Sequence, residues 1–155
     1  MAIKQSIECW LLHDDGSGRS VLLLHVAAPQ AAVAFWQPVT GGIQEGEAPL
    51  HACRREVFEE TGQAVEPVEV NPGKDVVVHL PDHEIHKTLY YAFVKDKTIR
   101  TDPAEHEGYK WISAQRVRSE LYWKSNRRTW DIVSRALEAA GGVPPEGVSR
   151  LSRLF

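Results

Sequence analysis

Cysteine is scarce: Cys9 and Cys53 stand 44 positions apart, with no CxxC pair and no disulfide framework. That excludes a zinc knuckle or a disulfide-stapled scaffold and makes a reducing compartment the expectation. Long apolar runs are missing as well. No stretch reaches the length of a membrane span, and "MAIKQSIECW" interrupts its apolar residues with charge, so cytoplasmic residence without a membrane partner is expected. Basic residues are not in excess: 18 Lys and Arg stand against 21 Asp and Glu, a net charge of −3, which argues against a duplex nucleic-acid partner. There is no GxxxxGK[ST] phosphate loop, no internal repeat and no low-complexity tract.

What remains is ordinary globular usage, 43% hydrophobic and 25% charged over 155 residues, about one domain's worth of chain. One unit is expected over residues 1–141. Residues 142–155 follow it as a tail, in which Leu151, Leu154 and Phe155 suit packing on the body or on a partner.

"SIECWLLHD" (6–14) and "SVLLLHVA" (20–27) are β-favouring runs around Asp15-Gly16-Ser17-Gly18, a hairpin signal. "FWQPVT" is a short extended segment, since Pro38 removes a ladder donor and biases Gln37 toward β geometry. A helix is expected over 48–61, with Pro49 in its first turn, Leu50, Cys53 and Val57 on one buried stripe, and Gly62 as its stop. "AVEPVEV", "DVVVHL", "IHKTLYYAFVKD" and "GYKWIS" supply further strands. A second amphipathic helix spans 126–140, burying Trp130, Val133 and Leu137. Trp10 and Trp130 are expected in the core. The pattern implies an α/β fold, a mixed sheet with helices on its faces.

The chemistry concentrates in "GGIQEGEAPLHACRREVFEETG", which holds Glu45, Glu47, Glu56, Glu59 and Glu60. At 100° per residue, Glu56, Glu59 and Glu60 share one edge of the first helix, where they repel one another; Glu59 and Glu60 also sit near the C-terminal end that disfavours anions. Local stability does not favour this arrangement. A solvated acidic face is the bland alternative; a site for Mg²⁺, with Mn²⁺ as substitute, uses hard oxygen ligands on one rigid face and removes the repulsion.

The surrounding spacing shifts the balance toward the cation site. Gly41, five residues, Glu47, seven residues, then Arg55-Glu56-Val57-Phe58-Glu59-Glu60-Thr61-Gly62 resembles the Nudix box at every fixed position, with Gln63 where a closing aliphatic is expected. The resemblance implies a Nudix α/β/α sandwich over most of the chain. It implies that Glu56, Glu59 and Glu60 ligate metal with the Gly41 carbonyl, and that Arg55 and Glu47 brace the loop and helix. It also implies hydrolysis of a diphosphate linkage by water attack on phosphorus, with a carboxylate as base. Glu105, six residues before Trp111, is the later-loop candidate for ligand or base, and Glu107 its competitor.

For the substrate, "FWQPVTGG", "EHEGYKW" and "WKSNRR" resemble the dihydroneopterin triphosphate pyrophosphatase branch, whose members also accept nucleoside triphosphates. The partner implied is a small phosphorylated molecule, handled by a monomer or homodimer. Trp36 is a candidate for stacking on its ring, a core role being the alternative. Lys124, Arg127 and Arg128 are candidates for clamping phosphates at a helix start, with Lys74 and Lys87 behind them. Other diphosphate substrates, such as dinucleoside polyphosphates, nucleotide sugars or an RNA 5' end, remain alternatives, as does a ligand-sensing Nudix module that does not cleave. His79, His83 and His86 flank a Pro-Asp turn at spacings that also suit a metal, although surface histidines suffice.

Overall fold

Asp15 forms the first turn. Its Oδ1 accepts from Ser17 N (3.0 Å), Ser17 Oγ (2.7 Å) and Gly18 N (3.2 Å), while Gly16 adopts φ 88°, a left-handed value that favours glycine. The turn joins β1 (Ala2–Asp14) to β2 (Arg19–Val26) in an antiparallel pair. This computed structural model describes residues 2–27, 32–101 and 108–141, so Glu105, Glu107 and the tail expected over 142–155 lie outside the described residues.

Pro38 divides "FWQPVT" as its missing N–H demands. β3 (Phe35–Gln37) pairs with β2, and β4 (Val39–Gly42) pairs with β1. After α1 (Pro49–Thr61) come β5 (Val68–Glu69), β6 (Val76–His79) and β7 (His83–Phe93). β7 lies parallel to β1 along eleven residues, from Ala2 beside His83 to Leu12 beside Phe93, and β5 and β6 pair antiparallel with its other edge. β8 (Gly108–Ser113) returns antiparallel to β2, then a 3₁₀ turn at Ala114–Arg116 leads into α2 (Val117–Glu120) and α3 (Lys124–Ala139).

The result is a mixed sheet with a core on each face. Alternation along β1 sends Ile7, Cys9 and Leu11 toward Ala52, Cys53 and Val57 of α1, and Trp10 and Leu12 toward Trp130, Val133 and Leu137 of α3. The rings of Trp10 and Trp130 stack 5.1 Å apart at the centre of the second core. On the other face the Cys9 and Cys53 thiols are buried against each other, and burial, reinforced by the Cys53 contact, pushes the Cys9 thiol up. Leu50 departs from its expected place on the buried stripe: it is 37% exposed, because it belongs to the first turn and burial begins at Ala52.

One position in β1 breaks the apolar pattern. Glu8 is fully buried on the α3 side; its Oε1 accepts from Lys87 Nζ (2.8 Å) and Asn126 Nδ2 (3.2 Å), and its Oε2 from Trp10 Nε1 (3.0 Å). These bonds tie β7 and the start of α3 to the middle of the sheet.

Candidate active site

The site grows from the junction of β4 and α1. β4 is held to β1 through Gly41 opposite Ile7 and Gly42 opposite Ser6, and the loop that follows closes with Ile43 N donating to Gln5 O (3.0 Å) and Glu47 N to Gln44 O (3.0 Å). Pro49 opens α1 at a position whose N–H has no helical partner, and Gly62 ends it at φ 77°, donating its N–H to Phe58 O (2.8 Å). Gln63, the one departure from the box pattern, has a use of its own. Its side-chain amide donates to the carbonyls of Thr98 (2.8 Å) and Asp96 (3.2 Å), while Val65 takes the buried apolar place two residues on.

Arg55 is the hub. Its Nε and Nη2 hold both oxygens of Glu47 (2.8 and 2.9 Å), Nη2 also reaches Gly42 O (3.0 Å), and Nη1 reaches Glu56 (2.8 Å) and Glu59 (3.3 Å). A planar fork with five N–H groups is suited to this, and an ammonium is not. Glu47 is held at a pKa of about 2, first by its bonds from Arg55, then by the Gln44 backbone and by His51 at 2.7 Å. Arg55 is pushed upward in turn, chiefly by Glu47.

Gly41 and Glu56 share one place: a Cβ built on Gly41 would run into the Glu56 carboxylate. Glu60, four residues on, is only 4% exposed, on the inner side of α1. The three box glutamates therefore stand in different settings along one helix. Glu56 lies against backbone, Glu59 is exposed and leans on Arg55, and Glu60 is buried. Among the described residues no three His, Cys, Asp or Glu side chains gather as a ready cation cage; Glu56 and Glu59 both pair with the Arg55 guanidinium.

Trp36, Lys87, Lys124, Arg127 and Arg128 are on the α3 side, with the sheet between them and α1. Trp36 packs on the second core, its ring covered by Lys110 Nζ at 4.1 Å and by His25 at 4.6 Å. Lys124, Arg127 and Arg128 line a surface concavity of about 580 Å³ together with Arg118 and Arg135. Arg127 is committed there to the α2–α3 connection, donating to Leu121 O (2.8 Å) and Tyr122 O (3.0 Å). Lys87 is buried on Glu8. His79 and His86 both pair with Glu84 (2.9 and 3.1 Å), and His83 with Asp82 (2.7 Å). Sequence reasoning missed Glu8; its signal is a lone acid inside an apolar strand, meaningful only once Lys87 and Asn126 are beside it.

A family model described as "NUDIX domain" matches residues 4–132. An octanoyltransferase of Myxococcus xanthus is 28% identical over 74% of this chain and 32% of its own length, and an RNA pyrophosphohydrolase of Thioalkalivibrio sulfidiphilus is 34% identical over 73% of this chain and 74% of its own. The chain thus spans about a third of the first relative. Among solved structures, a C. elegans Ap4A hydrolase binary complex superposes with TM-score 0.72 at 15% identity, covering 88% of this chain and 98% of that one. The E. coli dihydroneopterin triphosphate pyrophosphohydrolase gives 0.68 at 23%, covering 84% and 96%. Matched along most of its length and carrying the box on β4, the loop and α1, the chain belongs to the Nudix family.

Proposed function

We propose that the chain is a divalent-metal-dependent pyrophosphohydrolase that cleaves a diphosphate linkage in a nucleoside triphosphate or in dihydroneopterin triphosphate. The observation that carries this is the closed unit of loop and helix in which Arg55 fixes Glu47, Gly42 O, Glu56 and Glu59, with the Gly41 backbone against the Glu56 carboxylate. That donor set fits Mg²⁺: carboxylates of Glu56, Glu59 and Glu60 plus the Gly41 carbonyl, all hard oxygen, with Glu105 a further candidate from the later loop. When bound, the ion neutralises phosphate oxygens and acidifies a water.

The chain's own groups supply the rest. Arg55 keeps the glutamates within reach of the β4 end, so that little reorganisation is left for the reaction. Water attacks phosphorus, one P–O bond forms as the bridging P–O bond breaks, and the departing phosphate or pyrophosphate keeps the electron pair. A carboxylate, from the box or Glu105, accepts the water proton.

A second reading, hydrolysis at an RNA 5' end, is favoured by the RNA pyrophosphohydrolase relatives and by the cationic concavity near Lys124 and Arg128. A Nudix domain of Shewanella oneidensis NrtR was solved with ADP ribose, and binding without cleavage is the contrast to exclude. The test is a panel of nucleoside triphosphates, dihydroneopterin triphosphate, Ap4A, ADP ribose and triphosphorylated RNA with Mg²⁺. Turnover that Glu60→Gln lowers at least a hundredfold with the fold intact supports the proposal. No turnover of any member contradicts it.

A further inference from the structure

Three side chains on the outer surface of α3 carry charge that nothing beside them answers. At 100° per residue, Lys124, Arg128 and Arg135 fall within an arc of about 40°. That arc lies about 180° from the side formed by Asn126, Thr129, Trp130, Val133 and Leu137, which is buried. All three cations are exposed, and among the described residues none makes a side-chain hydrogen bond or an ion pair. Like charges at this spacing repel, and Lys124 also stands in the first turn, where the helix dipole disfavours a cation. The stability of α3 does not account for them.

The surface they share is concave. With Arg118 of α2, Arg127, Asp131 and Ile132 they line the cavity of about 580 Å³. Two of its cations are already engaged: Arg118 pairs with Asp131 (3.2 Å), the one acid in the lining, and Arg127 donates to the carbonyls of Leu121 and Tyr122. One ammonium and two guanidinium groups stay open along about 16 Å of helix, on a chain whose net charge is −3. The lining restricts the anion that answers them. The body of a single-stranded nucleic acid binds on aromatic side chains set among cations, and a protein partner needs an apolar centre of contact. Here Ile132 is the one apolar side chain in the lining, and no aromatic is present. A chain of phosphoryl groups needs only dense positive charge and guanidinium forks that grip its oxygens in pairs.

We propose that the outer face of α3 is a second anion site, which takes a short oligophosphate chain, free or at the 5' end of an RNA. Lys124, Arg128 and Arg135 bind its oxygens, and Arg118, shared with Asp131, adds a weaker contact. The buried side of α3 and the whole sheet stand between this face and the box, so the anion held here is not the one that reacts. The inference goes beyond the hydrolase reading and does not require cleavage.

Calorimetric titration of the whole chain with sodium tripolyphosphate, without divalent metal, tests it, because the box carboxylates then repel the anion. One-to-one binding is expected, at least about tenfold tighter than orthophosphate. Arg128→Gln and Arg135→Gln should each weaken it at least about fivefold, with a melting temperature at or above that of the wild type, since each removes repulsion together with a ligand. A 5'-triphosphorylated uridylate oligomer that binds about tenfold tighter than tripolyphosphate identifies an RNA end as the source, and equal affinities identify the free anion. A 5'-hydroxyl oligomer or hexaglutamate that binds as tightly through the same residues overturns the proposal, assigning the face to a nucleic-acid backbone or an acidic protein. No binding of tripolyphosphate, an affinity unchanged in both variants, or a loss of affinity accompanied by a fall in melting temperature also overturns it. Failure of the hydrolase reading appears separately, as absence of cleavage across the substrate panel with Mg²⁺.

Discussion

Arg55 sits where repulsion among Glu47, Glu56 and Glu59 would otherwise be greatest, and its guanidinium binds all three. Arg55→Ala should therefore lower stability by about 2 kcal/mol or more in denaturant titrations without added metal, since it removes several charge-assisted bonds and leaves the carboxylates to repel. Glu47 has a pH signature. Its folded pKa is depressed from 4.5 to about 2, so its contribution is fully present above pH 4.5 and is lost as pH falls toward 2. Acid unfolding of Glu47→Gln should accordingly be flatter than wild type across that window. Gly41→Ala should displace the Glu56 carboxylate and reduce kcat about a hundredfold, with the melting temperature within a few degrees of wild type. At this scale the sequence was legible where spacing carries the message: box positions from Gly41 to Gly62 run from the end of one strand through one loop and one helix. It was illegible for Glu8 and Lys87, 79 positions apart, which only the parallel β1–β7 pairing brings together.

Elements were legible to the degree that they are periodic. α1 and α3 follow from 3.6-residue spacing and glycine stops, and each begins within two residues of its expected start. The 3₁₀ turn and α2, three and four residues long, are too short to show a period, and the sequence reading left them out. β1 begins at Ala2 rather than Ser6 because β7, not its own polar first residues, supplies the partner for that stretch. α3 depends on its apolar stripe more than on capping, since its N-cap residue Trp123 makes no side-chain cap bond. Trp130→Ala should then cost about 3–5 kcal/mol in chemical denaturation, removing the ring that stacks on Trp10. Gly62→Ala should cost about 1 kcal/mol, the strain of placing a Cβ at φ 77°.

For the molecule as a whole, the sheet separates two jobs. The α1 face carries the box; the α3 face carries Glu8, Trp36 and the cationic surface of α3. If the box glutamates hold Mg²⁺ in the folded state alone, metal at a hundred times its Kd should add about 2.7 kcal/mol, a rise of roughly 5–10 °C in Tm, and Glu60→Gln should abolish most of that rise. The central claim, that the box drives water onto phosphorus, is tested most directly by ³¹P NMR of products formed in H₂¹⁸O with Mg²⁺ and the best substrate of the panel. The account predicts ¹⁸O in one phosphorus-containing product, formed only with metal and at least a hundredfold more slowly by Glu60→Gln. Turnover that is equally fast in Glu60→Gln, or products without ¹⁸O on phosphorus, would contradict it.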